Sequence, residues 1–200
     1  MLTNKTTVPL FPLHTVLFPD GVLPLRIFEP RYLDMISHCL KNDHDFGICL
    51  IRQGRETGQA AMTHKVGTLA KIIDWNQLPD GFLGIQIKGQ QKFKVIFQQV
   101  KPNHLIEAEI NPLPNEVAQE IPSTYSLLSN LLEKIIAQTN LPHQNHLTVD
   151  YNNATWVSHR LAELLPMSLK QQQYLLELND PIQRLDILDK LLKFLRIAPK

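Results

Sequence analysis

The hydrophobic pattern of this chain changes period once, near residue 112. Before that point apolar residues recur at every second position in short runs. Ile106-Glu107-Ala108-Glu109-Ile110 alternates cleanly, as do Ile85-Gln86-Ile87-Lys88 and Phe93-Lys94-Val95. Such alternation marks strands with one buried face, because successive side chains point to opposite sides of a sheet. The same reading predicts strands over Val8 to Phe11, Val22 to Ile27, Phe46 to Arg52, Val66 to Trp75 and Phe82 to Lys88. Pro79-Asp80-Gly81 supplies turn chemistry ahead of one of them, and Gly89-Gln90-Gln91 is expected to turn the chain from one strand into the next. One short helix, about Pro30 to Leu40, interrupts the strands. Pro30 suits its first position, Phe28 and Leu33 are spaced as a hydrophobic staple, and Glu29 places negative charge at its positive end.

Beyond Asn111-Pro112-Leu113-Pro114 the spacing becomes three and four. Leu128, Leu131, Leu132, Ile135 and Ile136 form one stripe; Val157, Leu161, Leu164 and Leu165 form a second. Pro166 closes that helix, and Ser168-Leu169-Lys170-Gln171 opens the next with a capping box. Asp180-Pro181 starts the last, whose stripe is Ile182, Leu185, Leu188, Leu192 and Leu195. Four helices on short loops read as a compact bundle. The expected organisation is a β part over residues 1–112 and a helical part over 113–200.

Charge narrows the function. Twenty Lys and Arg against 19 Asp and Glu leave a formal charge of +1, and the two parts carry +2 and −1. A chain whose affinity came from neutralising many phosphates would be far more basic, so nucleic acid is not the expected partner. Lys88, Lys92 and Lys94 interleave with Phe93 and Phe97, but alternation puts the aromatics in the core and the lysines in solvent. Fourteen prolines among 200 residues point to many fixed turns. The N-terminus lacks the pattern of a signal peptide, and no apolar run approaches the roughly 18 residues of a membrane span. A cytoplasmic protein without a membrane partner is expected.

Signatures of chemistry are few. No phosphate-binding loop, dinucleotide fingerprint, H-E-x-x-H or G-x-S-x-G occurs. Cys39 and Cys49 lie in apolar surroundings and read as small buried hydrophobes. His143 and His146 lack a third ligand for a metal, and Asp43-His44-Asp45 reads as a solvated turn. Neither a metal nor another cofactor is expected, and no serine stands out as a nucleophile.

What remains is Pro9-Leu10-Phe11-Pro12-Leu13, then Leu17-Phe18-Pro19-Asp20-Gly21, then Leu23-Pro24-Leu25-Arg26-Ile27-Phe28-Glu29-Pro30-Arg31-Tyr32. This resembles the N-terminal domain of the Lon protease family, in which P-L-F-P-L leads through F-P-G to L-P-L-x-I-F-E-P-R-Y. The likeness continues through Phe46-Gly47-Ile48, Gly67 to Ile72, Gly89 with Lys92 to Val95, and Leu164-Leu165-Pro166. It implies an α+β fold: a PUA-like β-barrel with one short helix, followed by a C-terminal helical bundle. It also implies a non-catalytic module that binds polypeptide, standing alone without the family's ATPase and protease parts. RNA binding, known for other PUA-like barrels, is the alternative. Phe11, Leu17, Phe18, Ile27 and Phe28 read as core and staple residues. Arg26, Glu29 and Arg31 form either an ion-pair cluster at the strand–helix corner or, with Phe28 and Tyr32, the lining of a groove for an extended peptide. The partner expected is an unfolded polypeptide segment or another protein.

Overall fold

In the computed structural model, residues 6–138 and 149–195 are described. His143 and His146 lie outside them. The chain forms two compact units, Met1–Asn115 and Glu116–Lys200.

The first unit is a mixed sheet of seven strands with one helix. β1 (Thr6–Leu13) and β2 (Val22–Ile27) precede α1 (Pro30–Asn42), which is followed by β3 (Phe46–Gln53), β4 (Met62–Thr63), β5 (Val66–Gln77), β6 (Leu83–Val100) and β7 (Ile106–Pro112). Strands pair in the order β1-β7-β6-β5-β3-β4; β1 also pairs with β3, so the pairings return on themselves, and β2 joins along β6. The β1–β3 ladder is parallel and the others antiparallel. Phe11, Leu17, Ile27, Tyr32, Ile36, Phe46 and Ile87 fill one core cluster, and Leu10, Phe93, Ile106 and Ile110 belong to another.

Three expectations need correction. Gly89-Gln90-Gln91 is not a turn, because β6 runs unbroken from Leu83 to Val100. Gly89 instead lets one long strand pass close to another segment. Its N–H donates to the Gly21 carbonyl, its carbonyl accepts from Asp20 N–H, and a Cβ there would stand 2.2 Å from the Phe18 oxygen. Strand glycine marks such close approaches. Phe97, expected inside, is 58% exposed, since the register shifts between Val95 and Phe97 and the two-residue alternation breaks there. Lys92, expected in solvent, is 4% exposed; alternation predicts an outer face only where a strand has one.

Helix signals fare better. Pro30 opens α1, and Asp43 closes it in the left-handed conformation with φ of 50°. Phe28, assigned to the staple, is half-exposed and sets its ring edge-on to Phe82. In the second unit a short 3₁₀ turn leads into α2 (Ser126–Gln138), followed by α3 (Ala154–Leu164), α4 (Leu169–Glu177) and α5 (Pro181–Leu195). The capping box at Ser168 forms as expected, and Asp180 Oδ1 accepts from the N–H groups of Ile182 and Gln183. Leu128, Leu132, Val157, Leu161, Leu185, Leu188 and Leu192 are buried from the expected stripes.

Candidate functional site

The β2–α1 corner collects the candidate residues into two groups. Arg26, on β2, projects outward, pairs with Asp80 at 2.8 Å and lies over the Phe82 ring at 4.5 Å. Phe28 packs against the same ring. Glu29 and Arg31 form the inner group. Arg31 is 5% exposed, pairs with Glu29 at 3.0 Å, and donates to the main-chain oxygens of His104 and Glu56. His104 presents that carbonyl from a tight turn with φ of 66°. Glu29 Oε2 also accepts from Gly58 N–H, so the β3–β4 loop and the β6–β7 turn converge on one ion pair. Tyr32 is buried, with its ring stacked on Phe11 at 4.0 Å and the Arg31 guanidinium over its face. Burial pushes the Tyr32 phenol up to about 12, so it stays neutral across the physiological range.

Beside this corner lies a hollow of about 270 Å³ lined by Phe11, Leu13, Leu25, Ile27, Phe28 and neighbouring residues. β2 forms its rim, and among the described residues β2 pairs only with β6. Which main-chain groups this leaves free follows from one hydrogen bond. Gly89 N–H donates to the Gly21 oxygen, and the register continues as Val22↔Lys88 and Leu23↔Ile87. Hydrogen-bonded pairs alternate in an antiparallel ladder, so Leu23, Leu25 and Ile27 face β6. Val22, Pro24 and Arg26 therefore turn their main chain to the free edge. Pro24 has no N–H to offer there, which is where a strand tolerates proline. The pairing with Asp80 and the contribution of Phe82 were not legible in the sequence, because both come from the β5–β6 turn that folds back onto β2.

Groups with chemical potential elsewhere are engaged structurally. Both thiols are buried, and burial raises Cys39 to about 11 and Cys49 to about 12, far from the thiolate that reacts. Among the described residues no group of three His, Cys, Asp or Glu is placed to hold a metal. The second unit holds the cluster most like a catalytic one: Glu116, Ser158, His159 and Arg184. Ser158 Oγ donates to the Thr155 carbonyl and accepts from Arg184 Nη1, so a cation rather than a base faces the hydroxyl. His159 Nε2 stands 3.6 Å from Glu116 Oε1, longer than a hydrogen bond. Burial holds the His159 imidazole down at about 3, and the Arg184 charge adds to this against the pull of Glu116. Burial opposes the Glu116 charge, but the neighbouring His159 ring and donation from Arg184 outweigh it and keep the carboxyl well below the usual carboxylate range.

This cluster predicts a pH dependence of stability. His159 is neutral when folded but takes a proton in the unfolded chain below about pH 6.5, so acid favours unfolding. Between pH 7 and pH 5 this single group should cost the second unit about 2 kcal/mol. Glu116, depressed when folded, adds to the loss below about pH 4.5. Urea unfolding at both pH values, compared with His159→Gln, checks the histidine contribution: the variant should show a shallower pH slope.

Comparison with known proteins agrees with this architecture. Residues 7–194 match the family described as the ATP-dependent protease La (LON) substrate-binding domain. The Lon protease of Cytophaga hutchinsonii is 26% identical over 96% of this chain, and that of Orientia tsutsugamushi 28% identical over 92%. The chain spans about a quarter of the length of these relatives, 25% and 24% respectively. The crystal structure of a Lon N-terminal domain protein from Xanthomonas campestris superposes with a TM-score of 0.77 at 34% identity, covering 92% of this chain and 96% of that one. The N-terminal domain of a Lon protease from the Mycobacterium avium complex superposes at 0.62 with 16% identity, over the same shares of the two chains. With its family match running through almost the whole chain, this protein belongs to the Lon substrate-binding domain family.

Proposed function

We propose that this protein is a non-catalytic module that binds extended, unfolded polypeptide segments, or a partner protein through such a segment, in the cytoplasm. The observation that carries the reading is the free edge of β2 beside the apolar hollow at Phe28. Main-chain groups of Val22, Pro24 and Arg26 would give sequence-tolerant affinity, and the hollow would take an apolar side chain from the bound segment. Arg26 and Phe28 would touch the peptide. Glu29, Arg31 and Tyr32, being largely buried, would hold the corner rigid. In this reading the closed circuit of strand pairings is a PUA-like β-barrel over residues 1–112, and the helices of residues 113–200 form a bundle.

The test is titration with a casein-like unfolded polypeptide and with a folded control of similar charge. Binding to the unfolded chain alone is expected, and Phe28→Ser should weaken it about 5-fold through loss of an apolar contact. Equal lack of binding to both would overturn the proposal.

A further inference from the structure

A second free edge lies on the other side of α1, over a larger groove. Its cavity, about 840 Å³, is walled by α1, the α1–β3 turn, the first half of β1 and the β6–β7 turn. β1 pairs with β7 from Thr6 to Leu10 but with β3 only from Leu10 to Leu13, so among the described residues the first half of β1 has one unpaired side. The direction of its main-chain groups follows from the next ladder. Lys101 N–H donates to the Leu105 oxygen, and the same register pairs Gln99 with Glu107 and Phe97 with Glu109. The odd residues of β7 thus face β6, and the even residues Ile106, Ala108 and Ile110 face β1. Their partners are Leu10, Val8 and Thr6. Thr7 and Pro9 turn the other way; the Pro9 carbonyl meets β3 where the parallel ladder opens at Leu10↔Gly47, so the N–H and carbonyl of Thr7 point to the unpaired side.

Three further features line the same groove. Met35, Leu69 and Leu105 supply apolar surface. Arg31 also lines it, 5% exposed and held from within by bonds from both its terminal nitrogens. The rim carries Asp34, Asp43, Asp45 and Glu107. Asp43 is paired with Lys71 and Glu107 with Lys101, whereas Asp34 and Asp45 form no ion pair among the described residues. With Arg31 committed to Glu29, the surplus charge of the rim is negative.

The geometry points to this groove as a site for an extended polypeptide segment in which Lys or Arg residues alternate with apolar ones. Its main chain adds to the free edge of β1 at Thr7, its apolar side chains meet Met35, Leu69 and Leu105, and its cations reach Asp34 and Asp45. The inference rests on the polypeptide-binding reading above and adds a second location and a charge preference to it.

The probe is a fluorescein-labelled peptide of alternating Lys and Leu, about 12 residues long, with an alternating Glu and Leu twin. Anisotropy should show the Lys peptide binding at least about 5-fold more tightly than its twin. Asp34→Asn combined with Asp45→Asn should weaken the Lys peptide about 5-fold and reduce its salt dependence. Thr7→Pro removes an N–H on the free edge while leaving the β7 ladder intact, as Pro9 already does, and should weaken both the probe and its displacement by casein. Phe28→Ser should leave the Lys peptide unaffected. Equal affinity for the twin peptides, or changes under 2-fold in both groove variants with circular dichroism unchanged, would overturn the groove while casein binding sensitive to Phe28 leaves the general reading standing. Loss of all polypeptide binding by the unaltered protein overturns both.

Discussion

Arg184→Leu is expected to destabilise the second unit by about 3–5 kcal/mol, the cost of leaving a buried charge without its partner. Arg184 is fully buried, and every one of its nitrogens is used. Nε donates to the Leu175 carbonyl, Nη1 to Ser158 Oγ and Glu116 Oε2, and Nη2 to Glu116 Oε1 and the Leu178 carbonyl. Leu175 and Leu178 lie at the end of α4, where the last helical carbonyls have no partner within the helix. One side chain thus caps α4 from α5, steadies Ser158 on α3 and neutralises Glu116 at the start of the unit. Removing it strips buried Glu116 of the Arg184 cation, and the imidazole 3.6 Å away is neutral. Glu116→Gln in the same background should recover part of the loss, because it removes the stranded charge. Urea unfolding of the two single variants and the double variant measures the coupling, which should exceed about 1 kcal/mol. Additive single effects would mean that the pair is not what holds these helices.

Gly89→Ala should cost the first unit about 2–3 kcal/mol, at the upper end of ordinary overpacking. The added methyl would stand 2.2 Å from the Phe18 carbonyl oxygen and 3.1 Å from its carbon. Those are backbone atoms, so no rotamer change relieves the contact. Either β6 withdraws from residues 18–21, breaking the bonds from Asp20 and Gly89, or Phe18 leaves its fully buried position. Gly81→Asn is the matched control: its φ of 86° is a conformation asparagine accepts, and nothing lies within 4 Å of its Cβ position. A shift in the thermal midpoint several times larger for Gly89→Ala is the expected outcome.

Local signals in this chain suffice where their physical cause is local. Pro30, the Ser168 capping box and the Asp180 cap each depend on a few consecutive residues, and each forms at its expected place. Buried stripes such as Leu185, Leu188 and Leu192 likewise follow from helical spacing alone. Gly89 reads as a turn in sequence because glycine permits both a reversal and a close approach; only the position of Phe18, 71 residues earlier in the chain, selects the second. Phe97 and Lys92 reverse their expected exposure for the same kind of reason, since a register shift or a second covered face is invisible to a two-residue period.

The candidate site divides in the same way. Sequence motifs placed Arg26, Phe28, Glu29, Arg31 and Tyr32 at one strand–helix corner, and that corner exists. Which of them are accessible was decided by distant partners: His104 and Glu56 draw Arg31 inward, Phe11 covers Tyr32, and Asp80 with Phe82 holds Arg26 and Phe28 at the surface. By itself the sequence determined the change from strands to helices, the helix boundaries and the family, because period, caps and contiguous motifs are properties of neighbouring residues. Only the tertiary structure decided which strand edges stay unpaired and which charges are spent, because those depend on residues that meet through the fold and not along the chain.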